Sequence, residues 1–416
     1  MEKEKGTPSM PKRVALYTWK MIKKYSEYLK ELESKKLFEA KIKECFELGE
    51  MFRKYGDVQV YPQIVRVGLL ENGIEAVLNL PRGFDPGDLA KKAYVFEQEF
   101  GTNVHLKKVS SKTFVLYVYV NNPLKEKYNY NYSSIESNLK YNLPIYIGRD
   151  ISGNVISYDM VEEPNLLIAG EPGSGKSVLL RSILTTLIFN KTPEELKLYL
   201  FDLKKSEFFI FDDVPHVIEN THENRIIEKR FYELVNELKE RGELLKKNRV
   251  PHINRLPKKV KPPYIVVCID EYSLIEGKGT IKAIKQIAAI GRALGVYLIL
   301  STQRPDSDVL EGIIKALLTV RIGGRQQDAT NSKIIIDTKG CEEIKIKGHM
   351  KMKSTIGLID VKVPLLNEVI AEEMLDPLRV EKPVIEELEP TEEAKPSKKQ
   401  AKKGKEKKAI VWGVLK

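Results

Sequence analysis

Between residues 144 and about 365, short apolar runs alternate with stretches whose apolar positions recur at helical spacing. The runs at 165–169, 196–201, 264–269 and 297–301 are too short for helices and end at Gly, Asp or Thr. Such runs, separated by helical patterns, build βαβ units and a parallel sheet covered on both faces. The 58–122 stretch has another rhythm. Strand-like runs at 64–70 and 74–80 flank Glu71-Asn72-Gly73, and Asn-Gly between two apolar runs signals a hairpin. Asp85-Pro86 opens a helix to about Phe100, with Pro in the first turn, and 104–109 and 114–120 add two strands. This stretch is expected to be a small α+β domain.

Upstream, Val14, Leu16, Trp19, Ile22, Tyr25, Leu29 and Leu32 recur at helical spacing among lysines, until Gly56 and Asp57 stop the pattern. Residues 1–57 therefore read as a basic helical segment, which either packs on its own domain or touches an anionic surface. Residues 123–143 (KYNYNYSSIESN at their centre) are linker-like in composition. Residues 366–416 begin as a short helical stretch and become a tail rich in Glu, Pro and Lys, expected to be disordered over 381–408. Its apolar end, 409–415, is either an unstructured end or a docking peptide.

Composition changes this picture in three respects. A chain of 416 residues is long for one core and fits several domains. A net charge of +11 favours an anionic partner, although the lysines of the tail carry a visible share of it. The cysteines Cys45, Cys268 and Cys341 form no CxxC pair, and the five histidines are scattered, so neither a zinc site nor a disulfide framework is expected. No run of about 18 apolar residues occurs and the N-terminus lacks an apolar signal core, so the expectation is a cytoplasmic protein without a spanning helix.

The chemistry concentrates in the βαβ region. Gly170, Glu171, Pro172, Gly173, Ser174, Gly175, Lys176 and Ser177 fit GxxxxGK[ST], after an apolar strand and before a helical pattern at 178–189. Glycines let backbone N–H groups converge on phosphate oxygens, and the helix N-terminus adds its dipole. Lys176 is expected to reach the β- and γ-phosphates and Ser177 to ligate Mg²⁺. The strand at 264–269 ends in Asp270-Glu271. Asp270 is placed to hold the metal, directly or through water, and Glu271 to orient the attacking water. A third strand ends in Thr302-Gln303, where Gln303 either senses the γ-phosphate and places water or caps the strand. Cys268 reads as core. Together these residues predict a P-loop ATPase using ATP and Mg²⁺.

The ordered series resembles the motor domain of the FtsK/SpoIIIE DNA translocases, within the wider FtsK–HerA ATPases. The similarity runs through IGRDISGNV from Ile147, the phosphate loop, TPEELKL from Thr192, FDLK ending at Lys204, Pro215-His216-Val217, Asp270-Glu271, IAAIGRALG ending at Gly295, TQRP from Thr302, then Ile313-Ile-Lys-Ala and Val320-Arg-Ile. It implies a RecA-like motor over 144–365, preceded by an α/β domain, in a ring (a homo-hexamer) around double-stranded DNA. It implies an arginine supplied by the neighbouring subunit, with Arg292, Arg321 and Arg325 as candidates, while Arg304 belongs to its own turn. It implies pore loops that grip phosphates rather than bases, for which Lys246, Lys247, Arg249, Lys258, Lys259 and Lys261 are candidates, a solvated basic connection being the alternative. The membrane helices and the winged-helix domain of chromosomal members are not expected here. A role with plasmid or mobile-element DNA, in transfer or segregation, would then need a membrane-bound partner reached through the N-terminal helix or the tail. Two other readings stay open: a slow DNA-associated ATPase switch that moves nothing, and a helicase.

Overall fold

The computed structural model of the chain describes residues 30–70, 72–101, 103–303, 305 and 312–380. The first 29 residues of the basic segment, Arg304 and the Lys-rich tail from 381 lie outside the described residues. The side chains of 312–314 lie outside them too.

The smaller α+β unit opens with helix α1 (30–48) and a ribbon of β1 (Arg53–Tyr55) and β2 (Val58–Val60). It continues through β3 (Gln63–Leu70), β4 (Gly73–Asn79), α2 (Pro86–Lys91), α3 (Ala93–Phe100), β5 (Val104–Lys108) and β6 (Thr113–Tyr119). The four longer strands form an antiparallel sheet in the order β3-β4-β6-β5. The Asn-Gly hairpin closes with Leu70 opposite Gly73. Phe38, Ile42, Cys45 and Phe46 fall on one face of α1 and bury against Leu78, Phe96 and Leu116 of this unit. The expected single helix from Asp85 is two helices. Asp85 caps the first through Gly87 N at 2.8 Å, and Lys92, at φ −92° and ψ 8°, turns the chain between them.

The larger unit contains α4 (Tyr132–Ile135), β7 (Pro144–Asp150), β8 (Val155–Asp159), β9 (Leu166–Ala169), α5 (Lys176–Asn190), β10 (Leu196–Asp202), β11 (Val217–Thr221), α6 (Asn224–Asn248) and β12 (Tyr264–Asp270). Then follow α7 (Lys278–Leu294), β13 (Val296–Thr302), α8 (Gly312–Leu317), β14 (Val320–Gly323), α9 (Ala329–Ile336), β15 (His349–Ser354), β16 (Gly357–Lys362) and α10 (Glu368–Leu375). One sheet runs β11-β10-β12-β13-β9-β14-β15-β16-β7-β8. It is parallel from β11 to β14 and antiparallel beyond, so the expected α/β class with a parallel-rich sheet holds. Every residue of β9, β12 and β13 is buried, which is why these strands read as unbroken apolar runs.

The Tyr/Asn-rich stretch at 123–143 lies on this unit. Tyr130, Ile135, Leu139 and Leu143 are buried in its core. Tyr130 N donates to Leu365 O at 2.9 Å, Leu365 N donates to Tyr128 O at 2.8 Å, and the Tyr130 hydroxyl shares a hydrogen bond with Thr186 at 2.8 Å.

At Gly148, β7 crosses β16 so closely that a Cβ would stand 2.0 Å from the Lys362 carbonyl oxygen. Backbone cannot retreat as a side-chain tip can. Gly148→Ala should therefore cost about 1–3 kcal/mol, read as a lower urea midpoint at unchanged slope.

Candidate active site

In a parallel sheet the strand C-termini share one edge, and ligands collect in the crevice outside it. Here β13 lies between β9 and β12, so three loops converge: the phosphate loop after β9, Asp270-Glu271 after β12, and Thr302-Gln303 after β13. The loop is pinned from several sides. Gly170 N donates to Thr302 O at 3.2 Å, Glu171 N to Arg325 O at 3.0 Å, and Gly348 N to Ser174 O at 2.9 Å. Gly173 (φ +81°) and Gly175 (φ +107°) take left-handed conformations that glycine adopts without strain.

The loop suits a phosphate chain on two observations. No side chain caps α5 at Gly175, which leaves the first N–H groups of a long helix without a partner from its own turn. The Ser174 hydroxyl is also buried without a hydrogen bond.

Lys176 is buried. Its ammonium donates to Asp270 Oδ1 at 2.5 Å and Ser301 Oγ at 2.7 Å, and Ser301 donates to the same carboxylate at 3.1 Å. The Ser177 hydroxyl donates to Glu207, whose other oxygen lies 3.5 Å from Arg181. Burial, above all, raises the Glu207 carboxyl above its ordinary range, and the Asp270 charge adds to this. Arg181 also donates to Leu366 O at 2.9 Å and to Glu368 at 2.8 Å, tying α5 to the start of α10. Ser177, Asp270 and Glu207 offer oxygen ligands that could hold Mg²⁺ at this site.

Glu271 is held from every side. At φ +66° and ψ 69° it occupies a left-handed conformation that is costly for a residue with a Cβ. Its oxygens accept from Lys204 Nζ at 2.6 Å, Ser273 Oγ at 2.6 Å, Thr302 Oγ1 at 2.8 Å and Gln303 N at 3.1 Å. Burial works to raise its pKa, but these donors outweigh burial and hold it at about 2. Gln303 thus meets Glu271 through its backbone N–H.

The sequence places Lys204 only at the end of the family-like FDLK and marks neither it nor Glu207 as a site residue. A turn after β10 brings both in. There Asp202 accepts from the N–H groups of Ser206, Glu207 and Phe208 at 2.8–3.0 Å. The pairing of Asp202 with Asp270 in register sets β10 beside β12 and so delivers that turn to the site. FDLK at the end of an apolar run was the one signal available.

The remaining candidates are spread out. Arg325 stands beside its own phosphate loop, with Nε 2.9 Å from Glu171. Arg321 is committed to Asp337 at 2.5 Å. Arg292, near the end of α7, pairs with Glu162 at 3.0 Å. Lys246 and Lys247 lie in the last turn of α6 and Arg249 caps it. Lys258, Lys259 and Lys261 follow on the connection into β12. All six precede the N-terminal end of β12, whereas Asp270 marks its other end. The first five are exposed; Lys261 is partly covered, its ammonium 4.5 Å above the Tyr264 ring.

Comparison with known proteins agrees with this architecture. Residues 135–262 match the model of the FtsK/SpoIIIE family. The DNA translocase FtsK of Borreliella burgdorferi is 37% identical over 229 residues, which is 52% of this chain and 29% of that protein. Its namesake in Leptospira interrogans is 33% identical over 256 residues, 58% of this chain and 27% of that protein. The chain thus spans under a third of the length of these curated relatives. Among solved structures, the pCW3 conjugation coupling protein TcpA, a monomer form with ATPgS, superposes with a TM-score of 0.56 at 22% identity, covering 81% of this chain and 98% of that one. The cytoplasmic domain of the Thermomonospora curvata type VII secretion ATPase EccC gives 0.52 at 24% identity, covering 58% and 32%. These two share the fold. The family match over 135–262 includes the phosphate loop, so the centre of this chain is similar to the FtsK/SpoIIIE family.

Proposed function

We propose that the chain is an ATPase motor that moves double-stranded DNA through a ring of its own copies. The observation that carries the reading is the convergence of Lys176, Asp270 and an ionised Glu271 at one sheet edge, beside a helix N-terminus without a side-chain cap. Relatives named DNA translocase support the DNA part.

Bound ATP with Mg²⁺ supplies the phosphoanhydride bond and the divalent charge; the chain does the rest. Lys176 would exchange Asp270 for the phosphate oxygens, and Asp270 and Ser177 would be the residues left to hold the metal. Glu271 accepts a proton from the attacking water at a carboxylate oxygen. To do so it must give up one of its donors, and Lys204 is the one on a flexible side chain.

An arginine acting in trans has to leave its own subunit's surface. All three candidates pair with a carboxylate of their own chain, but Arg321 is mostly covered while Arg292 and Arg325 are about half exposed, so these are the two we propose. The basic residues ahead of β12 are proposed as the phosphate-gripping surface. Plasmid or mobile-element DNA, and a membrane-bound partner, remain the proposed setting.

The test is ATP hydrolysis with and without linear duplex DNA in moderate salt. Strong stimulation, with DNA affinity dropping steeply as salt rises, is expected because neutralising phosphates releases counterions. The clamp of Lys204 on Glu271 favours one second reading, a slow switch. A low rate indifferent to DNA in an assembled protein would select it and remove the motor.

A further inference from the structure

Next to the phosphate loop lies a pocket walled by Gly175, Val178, Tyr128, Val363, Pro364 and Leu365. The Tyr128 ring is fixed in place: its hydroxyl donates to Lys362 O at 2.8 Å, and the Arg149 guanidinium sits 5.3 Å from its centroid. Lys362, the last residue of β16, also lines this pocket. It is 3% exposed, and its ammonium donates to the Lys347 carbonyl at 2.7 Å.

Among the described residues no carboxylate pairs with Lys362, and the other charged groups lining the pocket are Lys127 and Lys347. A buried ammonium is expensive unless its donors are used. One carbonyl takes one of its three N–H groups, so two remain for whatever enters the pocket. The segment that accepts from Lys362 is also tied to the phosphate loop, since Gly348 follows Lys347 and donates to Ser174 O at 2.9 Å.

Building on the nucleotide reading above, we infer that this pocket is the nucleoside subsite, and that Lys362 is the residue that binds the base. The position follows from the loop. Phosphates seated on the Gly173–Ser177 backbone leave the nucleoside on the side of Gly175 and Val178, which are the pocket's inner wall. The apolar walls at Val363, Pro364 and Leu365 suit a flat aromatic ring, and the buried Lys362 ammonium would donate to a ring nitrogen of the adenine. A pocket that is mainly apolar, with one convergent donor, has the usual make-up of such sites.

Calorimetric titration of the full chain with ATP, and separately with inorganic tripolyphosphate, tests this. Tripolyphosphate fills the phosphate loop and has no base. Lys362→Met should weaken ATP by about 10- to 100-fold, the range for a hydrogen bond from a charged group. It should leave tripolyphosphate within about twofold. Lys362→Gln keeps a donor and should recover part of the loss. Melting curves with and without ligand show whether each variant is folded, and Lys362→Met removes an unpaired buried charge, so it should not melt earlier. Equal weakening of both ligands would mean that Lys362 acts on the phosphate loop through Lys347, and the inference fails while the nucleotide site stands. Unchanged ATP affinity also overturns it. A wild-type chain that binds neither ligand overturns the nucleotide reading itself.

Discussion

Lys176→Ala is expected to reduce ATP turnover by at least about 10²–10³-fold, the loss that follows removal of one preorganised charge-stabilising donor. It is also expected to unsettle the fold in the absence of nucleotide. Lys176 and Asp270 form a buried pair at 2.5 Å, and truncating the lysine leaves the carboxylate with Ser301 as its recorded donor. Breaking a buried pair from one side costs about 3–5 kcal/mol. A double variant separates the two effects. Lys176→Met with Asp270→Asn removes both charges, so the melting temperature should return towards wild type while turnover stays at background. If the double variant melts as early as Lys176→Ala, the instability comes from lost packing and the pair is not what holds this edge together. If Lys176→Ala hydrolyses ATP normally, the loop is not the site of chemistry.

The parts of this site that can be read from the chain are those in which chemistry and context are contiguous. Gly170–Ser177 and Asp270-Glu271 each follow an apolar run, and a fully buried parallel strand has no other way to look. What escapes is whatever depends on two distant segments meeting. Lys204 and Glu207 reach the site because Asp202 folds the chain back after β10, and nothing local marks a charged turn residue as facing inward. Ser301 looks like a strand end until Lys176 is beside it. Lys362 sits in a charged, alternating strand, where a lysine ordinarily points to water. The 123–143 stretch shows another limit. Its tyrosines stand among asparagines, serines and lysines and so read as part of a linker, yet Tyr130 buries its ring and satisfies its hydroxyl on Thr186. At Lys92 a single helical pattern conceals a turn that backbone geometry alone reveals.

Glu271→Gln should bind ATP with near wild-type affinity and lose turnover by about 10²–10⁴-fold, the usual contribution of a positioned general base. The amide keeps the shape and can still accept from Ser273, Thr302 and Gln303 N, but it cannot take a proton from water. Lys204→Met sharpens the test. Burial favours the neutral acid, and Lys204 leads the donors that hold the Glu271 pKa at about 2. Without it the pKa should rise, and the acid limb of the kcat–pH profile should move to higher pH. Stability responds with the opposite partner in mind. A carboxyl near 4.3 in the unfolded chain and about 2 when folded stabilises the fold above the first value. That contribution disappears as pH falls through the second. Lys204→Met should shrink this acid-sensitive window from below. The competing carboxyl is Glu207, which burial raises and which already accepts from Ser177. Should Glu271→Gln turn over at the wild-type rate while Glu207→Gln does not, the attacking water belongs to Glu207. The clamp on Glu271 would then be a structural brace at the end of β12.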